Sequence, residues 1–146
     1  MRKGAMPRKR PGIIRQVRVH RATWRTVPHV PGLPASAQQE VSQIELWTAR
    51  DWARFGLWPG AVAEAFTAWS ATARTPALRQ FHPCGCCGRS SRTILQEALD
   101  TLSRPSATAL AALVKPLDEQ YKTRTLPNPL IADDRPWWER RIRPGW

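Results

Sequence analysis

The sequence has 146 residues, with 23 Lys and Arg against 11 Asp and Glu, a net charge of +12 and an isoelectric point near 11.3. This length accommodates one domain with tails, and 42% apolar residues exclude a wholly disordered chain. No apolar stretch approaches the roughly 18 residues that a membrane span needs. The basic N-terminus lacks the apolar segment of a secretory signal, so we expect a cytoplasmic protein.

The positive charge is concentrated at the start of the chain. Glu40 is the first acidic residue, and nine basic residues precede it. Residues 40–146 contain fourteen basic and eleven acidic residues, a net charge of only +3. Residues 1–39 also contain five prolines, which disfavour a long helix. We therefore predict a mobile, basic, proline-rich arm over residues 1–39.

A basic segment without acidic residues would gain free energy by releasing counterions from a polyanion, and an interleaved tryptophan adds base stacking. The arm is thus predicted to contact nucleic acid or a ribonucleoprotein. The alternatives are that its charge only keeps the chain soluble, or that translation starts at Met6. The candidate nucleic-acid-binding residues are Arg2, Lys3, Arg8, Lys9, Arg10, Arg15, Arg18, Arg21, Trp24 and Arg25.

Residues 40–125 are predicted to form a helical domain. Ser36 and Gln39 fit a capping box that starts a first helix. Thr48 with Asp51 is a second start signal, so this stretch is one helix or two. Its predicted core face consists of Val41, Ile44, Trp47, Trp52 and Phe55.

Two further helices have clearer patterns. The second helix is expected to end before Pro76, and Ser90 or Ser91 should cap the third. The apolar stripe of the second helix consists of Val62, Ala65, Phe66, Trp69 and Ala73. That of the third consists of Ile94, Leu95, Ala98, Leu99 and Leu102.

A turn at residues 103–105 leads to a fourth helix. Pro116 lies inside this helix, so we expect a kink or a break there, and Asp118 with Lys122 has the spacing of an ion pair. The first turns hold only short side chains, which favours a plain αα-hairpin over a helix-turn-helix that reads DNA bases. The apolar stripe consists of Leu110, Leu113, Val114, Leu117 and Tyr121. The predicted fold class is mostly α, a small bundle of about four helices.

The loop at residues 81–90 contains the residues with recognisable metal or thiol chemistry. Cys84 and Cys87 have C-x-x-C spacing, and with Cys86 and His82 they are the candidate ligands for a zinc ion. A closed zinc site usually needs a second ligand pair, which this chain of three cysteines lacks. The alternatives are a redox-active thiol pair and, favoured over both, a tight turn with partly buried thiols.

The tail at residues 126–146 is rich in Pro, Trp and Arg. Asp134 is expected to cap a two-turn helix over residues 136–143. Tryptophan and arginine are enriched at interface hot spots, but docking of the tryptophans back onto the helices is the favoured interpretation. The candidate partner-binding residues are Trp137, Trp138, Arg140 and Arg141.

The sequence favours a binding function over an enzymatic one. It contains no paired carboxylates on a shared face and no glycine-rich phosphate loop, and His82 is the only histidine beyond the arm. The leading hypothesis is a small non-enzymatic protein whose basic arm contacts nucleic acid or a ribonucleoprotein without reading sequence. The alternatives are a protein–protein adaptor that uses the tail, and a metal or thiol protein centred on the cysteine loop. The oligomeric state is left open.

Overall fold

The computed structural model describes residues 27–48, 57–75 and 89–144. These residues form four α-helices, a single turn of 3-10 helix and one small antiparallel sheet, so the predicted mostly helical fold is confirmed. In chain order the elements are α1 (Ala35–Thr48), α2 (Ala61–Arg74), α3 (Ser91–Thr101), α4 (Arg104–Thr123), β1 (Leu126–Pro127), the 3-10 turn (Trp137–Glu139) and β2 (Arg141–Ile142).

The core lies where α2 packs against both α3 and α4, while α1 packs mainly against α4. The apolar stripe predicted for α2 is confirmed, since Trp69 is only 1% exposed and the helix ends at Arg74, before Pro76. The stripes predicted for α3 and α4 are also buried or packed against the core. Spacing of three and four residues places such side chains on one helix face, which explains why this pattern is reliable.

α3 begins at one of the two serines predicted to cap it. The Ser90 hydroxyl oxygen accepts a hydrogen bond from the backbone N–H of Thr93 at 3.2 Å. α4 begins at Arg104 with Pro105 in its first turn, a position that needs no N–H donor. The connection between α3 and α4 is therefore only residues 102–103, shorter than the predicted turn.

Glu40 on α1 supports the start of α4. Its carboxylate accepts hydrogen bonds from the Ser106 hydroxyl at 2.5 Å, and from the Ser103 N–H at 2.5 Å and hydroxyl at 2.8 Å. Together these bonds lower the pKa of Glu40 below its usual value. One carboxylate thus satisfies an N–H at the beginning of a helix that lacks a capping bond from its own Ser103 side chain.

Pro116 does not break α4, which continues from Arg104 to Thr123. A proline inside a helix costs about 3 kcal/mol because it removes one backbone hydrogen bond and crowds a carbonyl. Val114 and Asp118 flank the proline and are both buried, whereas Pro116 itself is exposed. Burial on both sides of the proline offsets this cost and keeps the two halves in one helix.

α1 begins five residues before the expected domain boundary, at Ala35. The predicted capping box is wrong, because Ser36 lies within the helix rather than at its cap. Gln38 is buried instead, and its side-chain oxygen accepts a hydrogen bond from the Val30 N–H at 2.9 Å. Since Val30 is itself part of the core, residues 27–39 belong to the folded part of the chain.

Trp47 is 73% exposed, so its predicted place in the core is wrong. It lies about 120° around the helix from Val41, which is buried. Two of the four buried positions are polar, and a pattern based on apolar residues alone misplaces the buried face. The buried positions of α1 are Ala37, Gln38, Val41 and Glu45. The other residues assigned to this stretch, Asp51, Trp52 and Phe55, lie outside the described residues.

The predicted two-turn helix at residues 136–143 is also wrong. A single 3-10 turn is followed by β2, which pairs with β1 through Leu126 opposite Ile142 and Pro127 opposite Arg141. The Asn128 N–H donates to the Arg140 carbonyl oxygen at 2.8 Å and extends this pairing. The chain turns back along the end of α4 because a strand partner is available there, which local helix signals do not reveal.

Glu45 of α1 is 2% exposed, and its carboxylate lies beside the beginning of α2. Its carboxylate accepts hydrogen bonds from the N–H groups of Gly60 at 2.6 Å and Val62 at 3.1 Å. The first N–H groups of a helix have no acceptor within the helix, and the helix dipole favours a negative charge beside them. Burial nevertheless raises the pKa of Glu45, because these hydrogen bonds offset only part of the loss of solvation.

The Glu45→Gln substitution removes this titration and keeps one acceptor oxygen. Because the folded-state pKa of Glu45 is raised, its contribution to stability is greatest below the unfolded-state pKa and is lost as pH rises through the folded-state value. The free energy of unfolding of the wild type, minus that of the variant, should therefore fall as pH rises from about 4 and then become constant. Urea denaturation followed by tryptophan fluorescence measures both values.

Glu40→Gln is the matched control with the opposite sign. The pKa of Glu40 is lowered, so its contribution is present at higher pH and is lost as pH falls. The same trend with pH for both variants would contradict the assignment.

Candidate functional site

The structure describes only part of the predicted site residues. The candidate nucleic-acid-binding residues between Arg2 and Arg25 and the candidate metal ligands His82, Cys84, Cys86 and Cys87 lie outside the described residues. The four candidate partner-binding residues of the tail are described, and they lie beside a cluster of charged and aromatic side chains that the sequence analysis did not identify.

The centre of this cluster is an ion pair between Arg92 on α3 and Asp118 on α4. The Arg92 Nε atom lies 2.9 Å from one carboxylate oxygen, and an Nη atom lies 3.1 Å from the other. The two side chains are 6% and 13% exposed. A third guanidinium nitrogen donates to the Gln96 side-chain oxygen at 3.1 Å. This bidentate geometry is the strongest form of a protein ion pair.

The same carboxylate also fixes α2. The indole N–H of Trp69 donates to the Asp118 carboxylate at 2.9 Å, from the most deeply buried tryptophan that the structure describes. The predicted pairing of Asp118 with Lys122 is therefore wrong, and Lys122 contacts Glu119 at 3.3 Å instead. Asp118 lies on the buried stripe between Val114 and Tyr121, which places it in the core and out of reach of a surface lysine.

Two of the three tryptophans of the tail pack on this ion pair, and the third, Trp146, lies outside the described residues. The Arg92 guanidinium lies 4.5 Å from the ring centroid of Trp138 and 6.0 Å from that of Trp137, within the range of cation–π attraction. The indole N–H of Trp138 donates to the Thr93 hydroxyl at 3.1 Å, and Trp138 is only 7% exposed. The favoured interpretation that these tryptophans dock back onto the helices is confirmed for both residues.

Aromatic contacts extend the cluster along α4. The Tyr121 ring lies 4.7 Å from Trp69 and 6.3 Å from Trp137 between centroids, and Lys122 covers Trp137 at 4.6 Å. Burial raises the pKa of Tyr121 to about 12, although the positive charge of Arg141 acts in the opposite direction. The phenol is therefore neutral at physiological pH and serves as a packing group.

Arg141 closes the C-terminal end of α4. Its guanidinium donates to the carbonyl oxygens of Lys122 at 2.9 Å and Thr125 at 2.7 Å, and to the Thr125 hydroxyl at 2.7 Å. The last carbonyls of a helix lack intrahelical donors and carry partial negative charge, which an arginine neutralises. Arg140 pairs with Asp133 on the surface at 3.2 Å. The use of these residues by a protein partner stays a prediction.

The ion pair between Arg92 and Asp118, together with Trp138, holds the tail against the helices. The Arg92, Asp118 and Trp138 side chains are buried and already bonded to one another or to neighbouring side chains. The sequence did contain one signal for this cluster, namely a charged residue on a buried stripe, at Asp118 between Val114 and Tyr121. Such a residue requires a buried partner of opposite charge.

A second feature lies at the opposite end of α2, where the described chain begins. Gly60 adopts a φ of 86°, and a Cβ atom there would lie 3.0 Å from the Pro28 ring and 3.7 Å from the Val27 side chain. Glycine is required both by this left-handed conformation and by the close approach of the chain. Val27 and Pro28 therefore lie against the start of α2, and residues 1–26 precede this point.

Two exposed tryptophans lie at the same corner, which we call the tryptophan corner (Trp47 and Trp58). The Thr48 hydroxyl bonds to both the N–H and the carbonyl oxygen of Leu57 at 3.0 Å, which joins the end of α1 to the segment before α2. Trp47 precedes this junction and Trp58 follows it, and they are 73% and 42% exposed. The Trp58 indole N–H donates to Glu64 at 3.1 Å.

Comparison of the chain with protein-family models, with curated proteins and with solved structures finds no significant match. Within residues 27–48, 57–75 and 89–144, no group of three or more His, Cys, Asp or Glu side chains could hold a metal ion. None of the described helices combines the length and hydropathy that crossing a bilayer requires.

Removing one member of the buried pair should be far more destabilising than removing an exposed charge beside it. Asp118→Ala leaves the Arg92 charge and the Trp69 N–H without their acceptor, so we expect a loss of about 3–5 kcal/mol in the free energy of unfolding. The matched control Glu119→Ala removes the neighbouring exposed carboxylate and should cost less than about 1 kcal/mol. Urea denaturation measures both losses, and equal losses would contradict a stabilising role of the buried ion pair.

The double variant Arg92→Met, Asp118→Leu separates two contributions to the free energy of unfolding. One is the net contribution of the ion pair, and the other is the penalty of leaving one charge unpaired in the core. Apolar replacement of both partners should cost less than Asp118→Ala alone.

Proposed function

We propose that this protein is a small non-enzymatic nucleic-acid-binding protein, which contacts the phosphate backbone of nucleic acid or of a ribonucleoprotein through its N-terminal basic residues. The observation that carries the proposal is the segregation of charge between these residues and the fold. All nine basic residues that precede Glu40 lie within residues 2–25, which contain no acidic residue, and we call residues 1–25 the basic segment.

The described part of the chain is nearly neutral. It contains eleven basic and ten acidic residues, a net charge of +1 against +12 for the whole protein. Five of its eleven basic side chains also form ion pairs within the fold, namely Arg89, Arg92, Lys122, Arg135 and Arg140. A polyanion therefore finds far more positive charge on the basic segment than on the fold.

Binding through the basic segment does not require sequence recognition. A helix that reads base edges needs long hydrogen-bonding side chains in its first turns. The first turns of α4 present one long hydrogen-bonding side chain, that of Arg104, followed by Pro105 and the short side chains of Ser106, Ala107 and Thr108. Ser106 is already bonded to Glu40. The Thr108 hydroxyl donates to the Arg104 carbonyl of its own helix at 2.8 Å. These features favour contact with phosphates rather than with bases in the DNA grooves.

Two full-length variants of equal net charge test this proposal. The first replaces five residues of the basic segment by Gln, and the second replaces five exposed basic residues of the fold. The residues of the first are Arg8, Lys9, Arg10, Arg15 and Arg18. Those of the second are Arg74, Arg104, Lys115, Arg124 and Arg143.

Affinity for a labelled oligonucleotide, measured by fluorescence anisotropy over a range of salt concentrations, should fall steeply with salt for the wild type and for the second variant. The first variant should lose affinity, and the slope of log K against log salt should decrease by up to about 4.5 if all five residues contact phosphates. Equal losses for the two variants would show that binding follows net charge alone and would contradict the role of the basic segment.

A further inference from the structure

We propose that the outward side of α1 is the contact surface of a homodimer, in which α1 of one protomer packs antiparallel against α1 of a second copy of this chain. The proposal uses residues of one described helix and is independent of the proposed function. We call this surface the α1 face, and it consists of Ala35, Ser36, Gln39, Gln43, Leu46 and Trp47.

The α1 face lies opposite the side of the helix that packs on the fold, where α1 contacts mainly α4. The four buried positions of α1 centre on Val41. Successive residues of a helix are about 100° apart, so all six residues of the α1 face point within about 60° of the direction opposite Val41. Five of the six are exposed and Leu46 is partly exposed, with Trp47 at 73%.

Within α1, which the structure describes completely, the outward side carries no charged residue. The two acidic residues of the helix, Glu40 and Glu45, bond to the starts of α4 and α2 instead. The other described helices all expose charged side chains, namely Glu64 and Arg74 on α2, Asp100 on α3, and Arg104, Lys115 and Glu119 on α4. The centres of protein interfaces are depleted in charge and enriched in aromatic residues, and tryptophan is a frequent hot spot. The α1 face therefore has the composition of a protein interface.

The order of residues along the α1 face identifies the occupant. A two-fold axis requires each patch to be complementary to itself. When two copies of α1 pack antiparallel about an axis at position 41, residues that are equally distant from this position face each other. Trp47 of one copy then faces Ala35 of the other, Leu46 faces Ser36, and Gln39 faces Gln43. Each large side chain thus meets a small one, and each amide meets another amide, which supplies both a donor and an acceptor.

The length of α1 sets the expected strength of the contact. The helix has 14 residues and is therefore about 21 Å long. Two helices of this length bury less than the roughly 1,600 Å² of a standard interface, so we expect a reversible dimer with a dissociation constant on the order of 10–100 μM. Because the contact contains no charge, this constant should not increase with salt concentration.

The first experiment is sedimentation equilibrium of the full-length, nuclease-treated protein between about 1 and 500 μM, at low and at high salt. The wild type should change from monomer to dimer over this range at both salt concentrations. Trp47→Ala should weaken the dimer by about 30-fold or more, the equivalent of 2 kcal/mol for a hot spot. The matched control Leu130→Ala removes another exposed apolar side chain, 91% exposed, and should dimerise as the wild type does.

The second experiment tests whether the occupant is a second copy. The double variants Gln39→Lys, Gln43→Lys and Gln39→Glu, Gln43→Glu each place like charges opposite one another, so each alone should be monomeric. An equimolar mixture of the two should form a heterodimer, because opposite charges then face each other, whereas the Glu variant mixed with the wild type should not.

The control Thr67→Lys, Ala71→Lys adds the same charge at the same spacing to exposed positions of α2 and should dimerise as the wild type does. Lys and Glu favour a helix about as well as Gln, so the variants should fold, and thermal unfolding by circular dichroism checks this.

Each result separates this inference from the proposed function. A wild type that stays monomeric, a dimer that Trp47→Ala leaves unchanged, or a mixture of the Lys and Glu variants that stays monomeric would overturn the homodimer. Association that nuclease or high salt abolishes would show bridging by nucleic acid, which would overturn the homodimer and support the proposed function. A dimer that responds to the variants as expected, in a protein that binds no oligonucleotide, would overturn the proposed function alone.

Discussion

The buried carboxylate of Asp118 is the point on which the packing of three helices and the tail depends. It lies on α4 and accepts hydrogen bonds from Trp69 of α2 and Arg92 of α3, so it fixes the side chains of two helices relative to its own. Arg92, held flat by this pairing, then supports the ring of Trp138. Because a charge without a partner in the core is strongly unfavourable, the three groups are stable only together. Docking of the tail therefore follows from an ion pair between helices.

The need of a buried polar side chain for a bonding partner also explains which parts of the fold the sequence predicts. α2 buries a stripe that contains only apolar residues and one serine, so its face and its end before Pro76 are both predicted correctly. α1 buries Gln38 and Glu45, which bond to the backbone of other segments, and its face is misplaced. Hydrophobic spacing detects apolar burial but cannot detect a polar side chain whose partner lies elsewhere in the chain. For this reason the sequence pattern predicts Lys122 as the partner of Asp118, whereas the structure shows Arg92.

The charge segregation and the tryptophan corner also differ in whether the sequence alone reveals them. The charge segregation is a property of composition along the chain, so the sequence alone is enough to find it. The tryptophan corner depends on two contacts between segments, that of Thr48 with Leu57 and that of Val27 with Gly60. Neither contact has a local sequence signal, and the sequence pattern placed Trp47 in the core. The exposure of Trp47 is visible only in the structure, where the end of α1 is joined to the segment before α2.

Most acidic residues of the fold are bonded within it, so they attract the basic segment less. Nine of the ten described carboxylates are engaged. Five form ion pairs, two (Glu40 and Glu45) bond to backbone N–H groups at the beginnings of helices, and two (Glu64 and Asp100) accept from side chains. A fold with the same composition but unpaired carboxylates would attract its own positive segment, and a polyanion would then have to displace that contact. Since ion pairs and helix ends already occupy most of these carboxylates, the fold competes weakly for the segment. Near-neutrality of the fold thus favours, rather than weakens, binding of an external polyanion.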